Sequence, residues 1–598
     1  MSFPRLFPLP FLRRTVVAGL GLALAACAQQ APRPAPAAAP AGAQAQQEEP
    51  LPEKAEAEAA APAAAAQPEL PRQELTEAVL YEYLLAEIAG QRGALGLSAQ
   101  AYADLAKRTR DPRISKRAAE VALYARMPAA AVDAAKIWYE AEPSSLQALQ
   151  ALTTLLISAK RQEEALPYLQ KFLEGDSSGD GFLQLNRLLA NNQDKALTLE
   201  LIQKLAQSYP KFAQAHFAVA QAAAGAGQSE LALSEVREAA KLKPDWDLPA
   251  LVEAQLLQRQ SNALARERLA AFLERNPKAR EVRMSYARIL VAERNYTQAR
   301  AEFQTLSRDF PDNVDVVFAV GVLSLQLQDY ALAEANFKRL LTLPYQDRNT
   351  VRLYLGQIAE EQKNYPEALH WYEEVTGGEQ HLQAQMRYAL VLSKQGKLDA
   401  ARAYLRQVEA GSEQARVQLL LTEAQILRDA KQPGEAFDLI AQALKNMPDQ
   451  PELLYDYAML AEKLERMDLL ESNLKKLIQL KPDSAHAYNA LGYSLADRNL
   501  RLPEAQELIE KALQLAPEDP FIIDSMGWVL YRRGKQAQAL EYLRKAYSAR
   551  PDPEIAAHLG EVLWVAGERS EAEKIWLDAS KKTPGNDALN GTIKRFKP

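Results

Sequence analysis

The sequence predicts an all-helical, superhelical solenoid of about fifteen helical hairpins, and two observations carry that prediction. The first is a pattern that occurs twice with the same offsets of 12, 4, 3 and 5 residues: Gly527, Ala539, Leu543, Ala546 and Pro551, then Gly560, Ala572, Trp576, Ala579 and Pro584. The second is the recurrence of prolines every 33 to 35 residues within two runs: Pro210, Pro244, Pro277, Pro311 and Pro344, then Pro448, Pro482, Pro517, Pro551 and Pro584. A pattern that keeps its phase in this way indicates one structural unit used many times.

Each repeat is predicted to be two short amphipathic helices packed back to back. Gly527 lets the second helix approach closely, Ala539 offers a matching small surface, and Pro551 ends the second helix. Ahead of the first helix, Asp519 is a good N-cap and Pro520 suits the first helical position. This spacing resembles the tetratricopeptide repeat, a helix–turn–helix unit of about 34 residues.

Four segments are predicted from the composition. Residues 1–26 form a signal peptide, 27–73 a disordered tether, 74–584 the repeat solenoid, and 585–598 a polar tail or cap in which Ile593 and Phe596 close the last apolar face. The tether is rich in Ala, Pro, Gln and Glu, so it cannot bury enough apolar surface to offset its ordering entropy. The net charge is only −6, because acidic and basic residues are present in similar numbers. This balance gives no reason to expect a nucleic-acid partner.

The amino-terminal segment predicts a lipid anchor. Basic residues precede a short apolar run, which ends in Leu24-Ala25-Ala26-Cys27. The run is too short to span a bilayer permanently, and its order matches a secretory signal. The Leu-Ala-Ala-Cys end resembles the bacterial lipobox, and the resemblance implies cleavage before Cys27, acylation of that cysteine and sorting to the outer membrane, facing the periplasm. Since Cys27 is the only cysteine, no intrachain disulfide is possible.

The sequence contains no candidate active site. The five histidines, His216, His370, His381, His486 and His558, show no pair within reach along one helix. No metal-ligand spacing, phosphate-binding glycine loop or nucleophile elbow is present. The chain is therefore predicted to be non-enzymatic, with no cofactor and no metal. An enzyme hidden in the irregular early repeats is the alternative.

One face of the first helices in the last repeats is predicted to line a partner-binding groove, as that face does in tetratricopeptide proteins. After Pro517 the face carries aromatic and polar residues at helical spacing. The candidate partner-binding residues are Asn489, Tyr493, Phe521, Asp524, Trp528, Tyr531 and Trp564. The mixture of aromatic and polar side chains is typical of a binding surface. Alternatively, Trp528 and Trp564 fill gaps between adjacent repeats.

Blocks at both ends carry a more specific resemblance. Leu84 to Arg92 reads LLAEIAGQR, Asp524 to Trp528 reads DSMGW, and Pro553 to Trp564 reads PEIAAHLGEVLW. Together with the lipobox, they resemble large proteobacterial tetratricopeptide outer-membrane lipoproteins, a family that includes the adaptor of a periplasmic carboxyl-terminal processing protease. The resemblance implies a scaffold that binds the protease and its substrates, such as peptidoglycan hydrolases. A scaffold for exopolysaccharide secretion or outer-membrane assembly is the alternative.

Overall fold

The computed structural model describes residues 74–159, 161–174, 176–190, 192 and 194–597. All the regular secondary structure in these residues is helical, which confirms the predicted all-α class. The chain divides into two compact units, with the boundary between Phe310 and Pro311. The predicted signal peptide, Cys27 and the tether lie outside the described residues.

The first unit contains helices α1 to α14. Their bounds are α1 Glu77–Gln91, α2 Leu95–Thr109, α3 Pro112–Tyr124, α4 Pro128–Ala141, α5 Leu146–Ser158, α6 Gln162–Glu174, α7 Asp180–Leu189, α8 Lys195–Ala206, α9 Ala213–Gly225, α10 Ser229–Leu242, α11 Asp247–Gln258, α12 Asn262–Arg275, α13 Arg280–Ala292 and α14 Tyr296–Asp309. Taken in order, these helices form seven hairpins.

The second unit contains helices α15 to α31. Their bounds are α15 Val314–Gln326, α16 Tyr330–Thr342, α17 Arg348–Glu361, α18 Tyr365–Glu373, α19 His381–Lys394, α20 Leu398–Gln407, α21 Glu413–Asp429, α22 Pro433–Asn446, α23 Pro451–Lys463, α24 Met467–Leu480, α25 Ala485–Asp497, α26 Leu502–Leu515, α27 Pro520–Arg532, α28 Gln536–Ala549, α29 Pro553–Val565, α30 Arg569–Lys582 and α31 Asp587–Phe596. Eight hairpins and a final single helix result, so the described residues hold the predicted total of about fifteen hairpins.

The hairpin of α27 and α28 shows how the sequence builds a repeat. The carboxylate of Asp519 accepts a hydrogen bond from the backbone N–H of Phe521 at 2.9 Å and so caps α27. At Gly527 the helices meet so closely that a Cβ atom would lie 2.6 Å from Cγ of Leu543 and 3.1 Å from the carbonyl oxygen of Ala539. The predicted close approach at this glycine is therefore present.

Three buried glutamates tie neighbouring helices together. Glu253, Glu360 and Glu423 are each more than nine-tenths buried, although each carries a carboxylate. Their ion-pair partners are Arg237 and Arg268 for the first, Arg387 and Lys394 for the second, and Arg402 and Arg406 for the third. A buried carboxylate is tolerated because basic side chains neutralise it and donate hydrogen bonds to it.

The segment expected as a polar tail or cap forms helix α31. Asn586 caps it by accepting a hydrogen bond from the N–H of Leu589 at 2.8 Å. Ile593 and Phe596 pack against the apolar core of the last repeats, as the sequence predicts. Arg595 of the same helix forms an ion pair with the buried carboxylate of Glu561 on α29. Helix α31 therefore covers the last hairpin.

Candidate binding groove in the second unit

The first helices of four consecutive repeats, α23, α25, α27 and α29, bring equivalent positions together. Tyr455, Asn489, Asp524 and His558 follow one another at intervals of 34, 35 and 34 residues. All four line one groove, whose empty space, including the part open to solvent, is about 550 Å³. The other lining residues are Met459, Glu462, His486, Ala490, Tyr493, Phe521, Ser525 and Glu554. We call this feature the C-terminal groove.

An ion pair between two repeats lies at the centre of the groove. Oδ2 of Asp524 is 2.8 Å from Nδ1 of His558, and both side chains are largely buried. Burial by itself lowers the pKa of His558, but the adjacent Asp524 carboxylate outweighs it and raises that pKa to about 9. The imidazolium therefore donates from Nδ1 to Asp524, and Nε2 lies 3.3 Å from the hydroxyl oxygen of Tyr493.

The ring of Trp528 packs against the ring of His558. Their rings are stacked, with centroids 4.2 Å apart and an interplanar angle of 22°. Only 3% of Trp528 is exposed, so this predicted residue positions the histidine and offers a partner little surface of its own. An indole face next to an imidazolium is favourable, because the ring quadrupole attracts a cation.

Two acceptor oxygens in the groove have no hydrogen-bond donor among the described residues. They are Oδ1 of Asn489 and Oδ1 of Asp524. Asn489 is 8% exposed and Asp524 is 6% exposed, so water does not easily satisfy them. A buried acceptor without a donor is costly, so each such group calls for an explanation, and a further group that binds there is one.

The carboxyl group of Glu554 is the third unusual feature. Burial, with the nearby Asp552 and Asp524 carboxylates, raises its pKa to about 7. No salt bridge within the described chain neutralises it, although it lines the groove. Perturbed carboxyl groups of this kind are more frequent at functional sites than elsewhere.

Of the other predicted residues, some line the groove and some lie outside it. Tyr493 and Phe521 line the groove, and the guanidinium of Arg550 lies 4.9 Å from the centre of the Phe521 ring. Outside the lining, the hydroxyl of Tyr531 donates to Glu561 at 3.4 Å.

Trp564 lies in a separate cluster at the end of the unit. Its ring stacks on that of Trp576, with centroids 5.6 Å apart, and packs against Phe596 of α31. In this position it fills the space between the last helices, which was the alternative role foreseen for it. The structure thus brings five of the seven predicted residues, Asn489, Tyr493, Phe521, Asp524 and Trp528, around His558.

Sequence reasoning missed Glu554, His558 and Tyr455. The histidines were compared only within one helix, where contacts recur after three or four residues. In a repeat array, residues one period apart also lie side by side on adjacent first helices. The 34-residue interval between Asp524 and His558 is therefore the signal that identifies the pair.

Between residues 74 and 597, none of the described helices combines the length and apolar character needed to cross a membrane. In the same part of the chain, no three His, Cys, Asp or Glu side chains are grouped so that they could hold a metal ion.

Comparison with known families identifies the repeat. The tetratricopeptide repeat model matches residues 254–314, 287–346, 321–379 and 525–587, and a second model of the same repeat matches 382–409. The solved structure of TTC0263, a thermophilic TPR protein in Thermus thermophilus, is 24% identical in sequence. That similarity covers 30% of this chain and 98% of the other, with a TM-score of 0.28.

Two curated proteins are similar over longer stretches. "Cellulose synthase operon protein C" of Pseudomonas fluorescens is 26% identical over 338 residues, which are 46% of this chain and 26% of that protein. "TPR repeat-containing protein PA4667" of Pseudomonas aeruginosa is 37% identical over 526 residues, which are 87% of this chain and 88% of that protein. The helical hairpins, the matched repeats and this near full-length similarity show that the chain belongs to the tetratricopeptide-repeat family that includes PA4667.

Proposed function

We propose that the protein is a non-enzymatic adaptor anchored in the outer membrane through Cys27 and facing the periplasm. It binds a periplasmic carboxyl-terminal processing protease and presents substrates such as peptidoglycan hydrolases. The C-terminal groove carries the partner-binding part of this proposal. Four consecutive repeats converge there on Asn489 and Asp524, whose buried Oδ1 atoms have no donor among the described residues.

The physical mechanism is an increase in effective concentration. When one body holds both the protease and its substrate, a bimolecular encounter becomes a local one, and gains of about 10²–10⁴ in apparent affinity are possible. The lipobox and the long tether favour a protein that reaches partners away from the membrane surface. The resemblance of the terminal blocks to outer-membrane lipoproteins of this repeat supports the protease as partner.

The test is a reconstitution of the mature chain with a candidate protease and a candidate hydrolase. We expect cleavage to accelerate with the wild-type chain. It should accelerate less with a groove variant, Phe521→Ala combined with His486→Ala. Leu577→Ala, which removes an exposed side chain of α30, is the matched control and should behave as wild type. If the wild-type chain binds neither protein and leaves the cleavage rate unchanged, the adaptor role is excluded.

A scaffold for exopolysaccharide secretion is the second candidate, and one observation favours it. The similarity to cellulose synthase operon protein C covers 46% of this chain. A pull-down from periplasmic and membrane fractions separates the two candidates. Recovery of a protease and hydrolases supports the adaptor, whereas recovery of polysaccharide export proteins supports the secretion scaffold.

A further inference from the structure

The charges around the C-terminal groove do not cancel. Glu462 is neutralised by Arg498, whose Nη1 lies 3.1 Å from its carboxylate, and Asp524 is neutralised by His558. Glu554 lines the same groove and forms no salt bridge among the described residues, although the charge of His558 also acts on it. When Glu554 is ionised, the group formed by Asp524, His558 and Glu554 has a net charge of −1.

Among the described residues that line the groove, the buried side-chain atoms without a hydrogen-bond partner are of one kind, whereas Nε1 of Trp528, behind the lining, is a donor without an acceptor. Oδ1 of Asn489 and Oδ1 of Asp524 are both acceptors, and both belong to side chains that are more than nine-tenths buried. Acceptors call for a donor, and an ammonium or guanidinium group supplies several. A carboxylate from a partner would add an acceptor and a negative charge, so it would meet repulsion from Glu554.

The remaining lining residues suit the stem of a long basic side chain. Tyr455, Tyr493 and Phe521 provide aromatic surface, that of Phe521 shared with Arg550, and Met459 adds a flexible apolar surface. Lysine and arginine bury their methylene groups against such surfaces while the charged end reaches polar groups. Aromatic rings also attract the cation itself.

We propose that the C-terminal groove takes a lysine or arginine side chain of a polypeptide partner, with the charged end at Glu554, Asp524 and Asn489. The inference rests on the proposed function in one respect, namely that this groove receives a partner segment. It adds the chemistry of that segment. This groove would prefer a positively charged group of the partner, whereas a groove that binds a partner's carboxylate prefers a negatively charged one.

The test selects peptides from a phage-displayed random octapeptide library on the mature chain. We expect the selected peptides to share a lysine or arginine. In one such peptide, replacing that residue by norleucine should weaken binding about tenfold, as expected when a charge-assisted hydrogen bond is lost. Glu554→Gln should cause a similar loss, and the two changes together should cost little more than either alone. Glu541→Gln, at an exposed carboxylate on α28 and outside the groove lining, is the control and should leave binding unchanged.

Three outcomes overturn the inference: no peptide is enriched, the enriched peptides lack a basic residue, or Glu554→Gln binds them as tightly as wild type. The protease reconstitution is scored separately. If cleavage accelerates but the selected peptides show no preference for a basic residue, this inference is wrong and the adaptor role stands. If the selected peptides prefer a basic residue but cleavage does not accelerate, the protease-adaptor role is wrong and the inference about the groove stands.

Discussion

The carboxylate of Asp524 and the imidazole of His558 form a buried ion pair with a separation of 2.8 Å, although the two residues belong to different repeats. Their 34-residue interval equals one repeat. The pair therefore links α27 directly to α29, and Trp528 and Tyr493 hold the histidine in place. The stability of the last repeats and the shape of the groove consequently depend on the same side chains.

Removal of His558 should destabilise the last repeats strongly. His558→Leu leaves the Asp524 carboxylate buried and uncompensated, for which we expect a cost of about 3 kcal/mol. Hydrogen exchange should quicken in α27 and α29. Adding Asp524→Leu should recover much of the protection, because the unpaired charge is then gone. His486→Leu, at an exposed histidine of α25, should have little effect, and an equal effect would argue against the ion pair as the cause.

The last repeats should lose stability as the pH rises. His558 has a folded pKa of about 9 against 6.5 unfolded, so its contribution is complete below 6.5 and is lost toward 9. Glu554 has a folded pKa of about 7 against 4.5 unfolded, so protonation favours the fold and stability falls between 4.5 and 7. Thermal unfolding of wild type and of Glu554→Gln/His558→Gln should therefore show a difference in Tm that shrinks steadily from pH 5 to 9. A constant difference would contradict both shifts.

Glu554→Gln alone should stabilise the protein above neutral pH. Glutamine resembles the protonated carboxyl group that the groove prefers, and it removes the repulsion from Asp552 and Asp524. The Tm of the variant relative to wild type should rise between pH 4.5 and 7 and then stay level. Glu541→Gln serves as the control with the same change of charge and should show no such rise. A variant less stable than wild type at pH 8 would show that Glu554 has a structural partner.

Gly527→Leu should loosen the hairpin of α27 and α28. The added side chain would collide with Leu543 and the backbone of Ala539, and overpacking of this kind costs about 1–3 kcal/mol. Because repeats contact mainly their neighbours, hydrogen exchange should increase in α25 to α30 and fade along the chain. Gly591→Leu in α31, where a Cβ atom meets nothing within 4 Å, is the matched control. Uniform loss of protection across all repeats would contradict nearest-neighbour coupling.

Cys27→Ala should abolish anchoring through a lipid. Without the thiol there is no acylation site, so we expect either a soluble periplasmic protein or an uncleaved precursor. Fractionation and metabolic labelling with a fatty acid measure both outcomes. Normal cleavage and labelling of the variant would disprove the lipobox interpretation.

Most of the fold could be predicted because it is periodic. Small residues such as Gly527 and Ala539 mark the close contact within a hairpin, and capping residues such as Asp519 mark its start. Helix α31 was harder to predict, since its sequence is polar and only Ile593 and Phe596 indicate a buried face. Its stability comes from tertiary contacts, including the ion pair of Arg595 with Glu561.

The site was predicted less completely. Helical spacing identifies which side chains share a face, so Asn489, Tyr493 and Asp524 were found. Spacing within one helix does not show which faces of adjacent repeats touch, so His558 was not connected with Asp524. Spacing within one helix also does not show how deeply a side chain is buried. Trp528 and Trp564 both lie on the predicted groove face, but His558 covers the ring of Trp528 and Phe596 of α31 covers the ring of Trp564.

The three buried glutamates Glu253, Glu360 and Glu423, each in an ion pair with basic residues, restrict how this chain can change in evolution or by engineering. In an array of identical modules, one repeat can be duplicated, deleted or exchanged, because every junction is the same. Here three junctions each carry their own carboxylate and their own arginines or lysine, and the partners differ from one junction to the next. Excision of a single repeat would place a buried carboxylate opposite the wrong neighbour. The order of the repeats is thus fixed by charge as well as by shape, and the modules are not interchangeable.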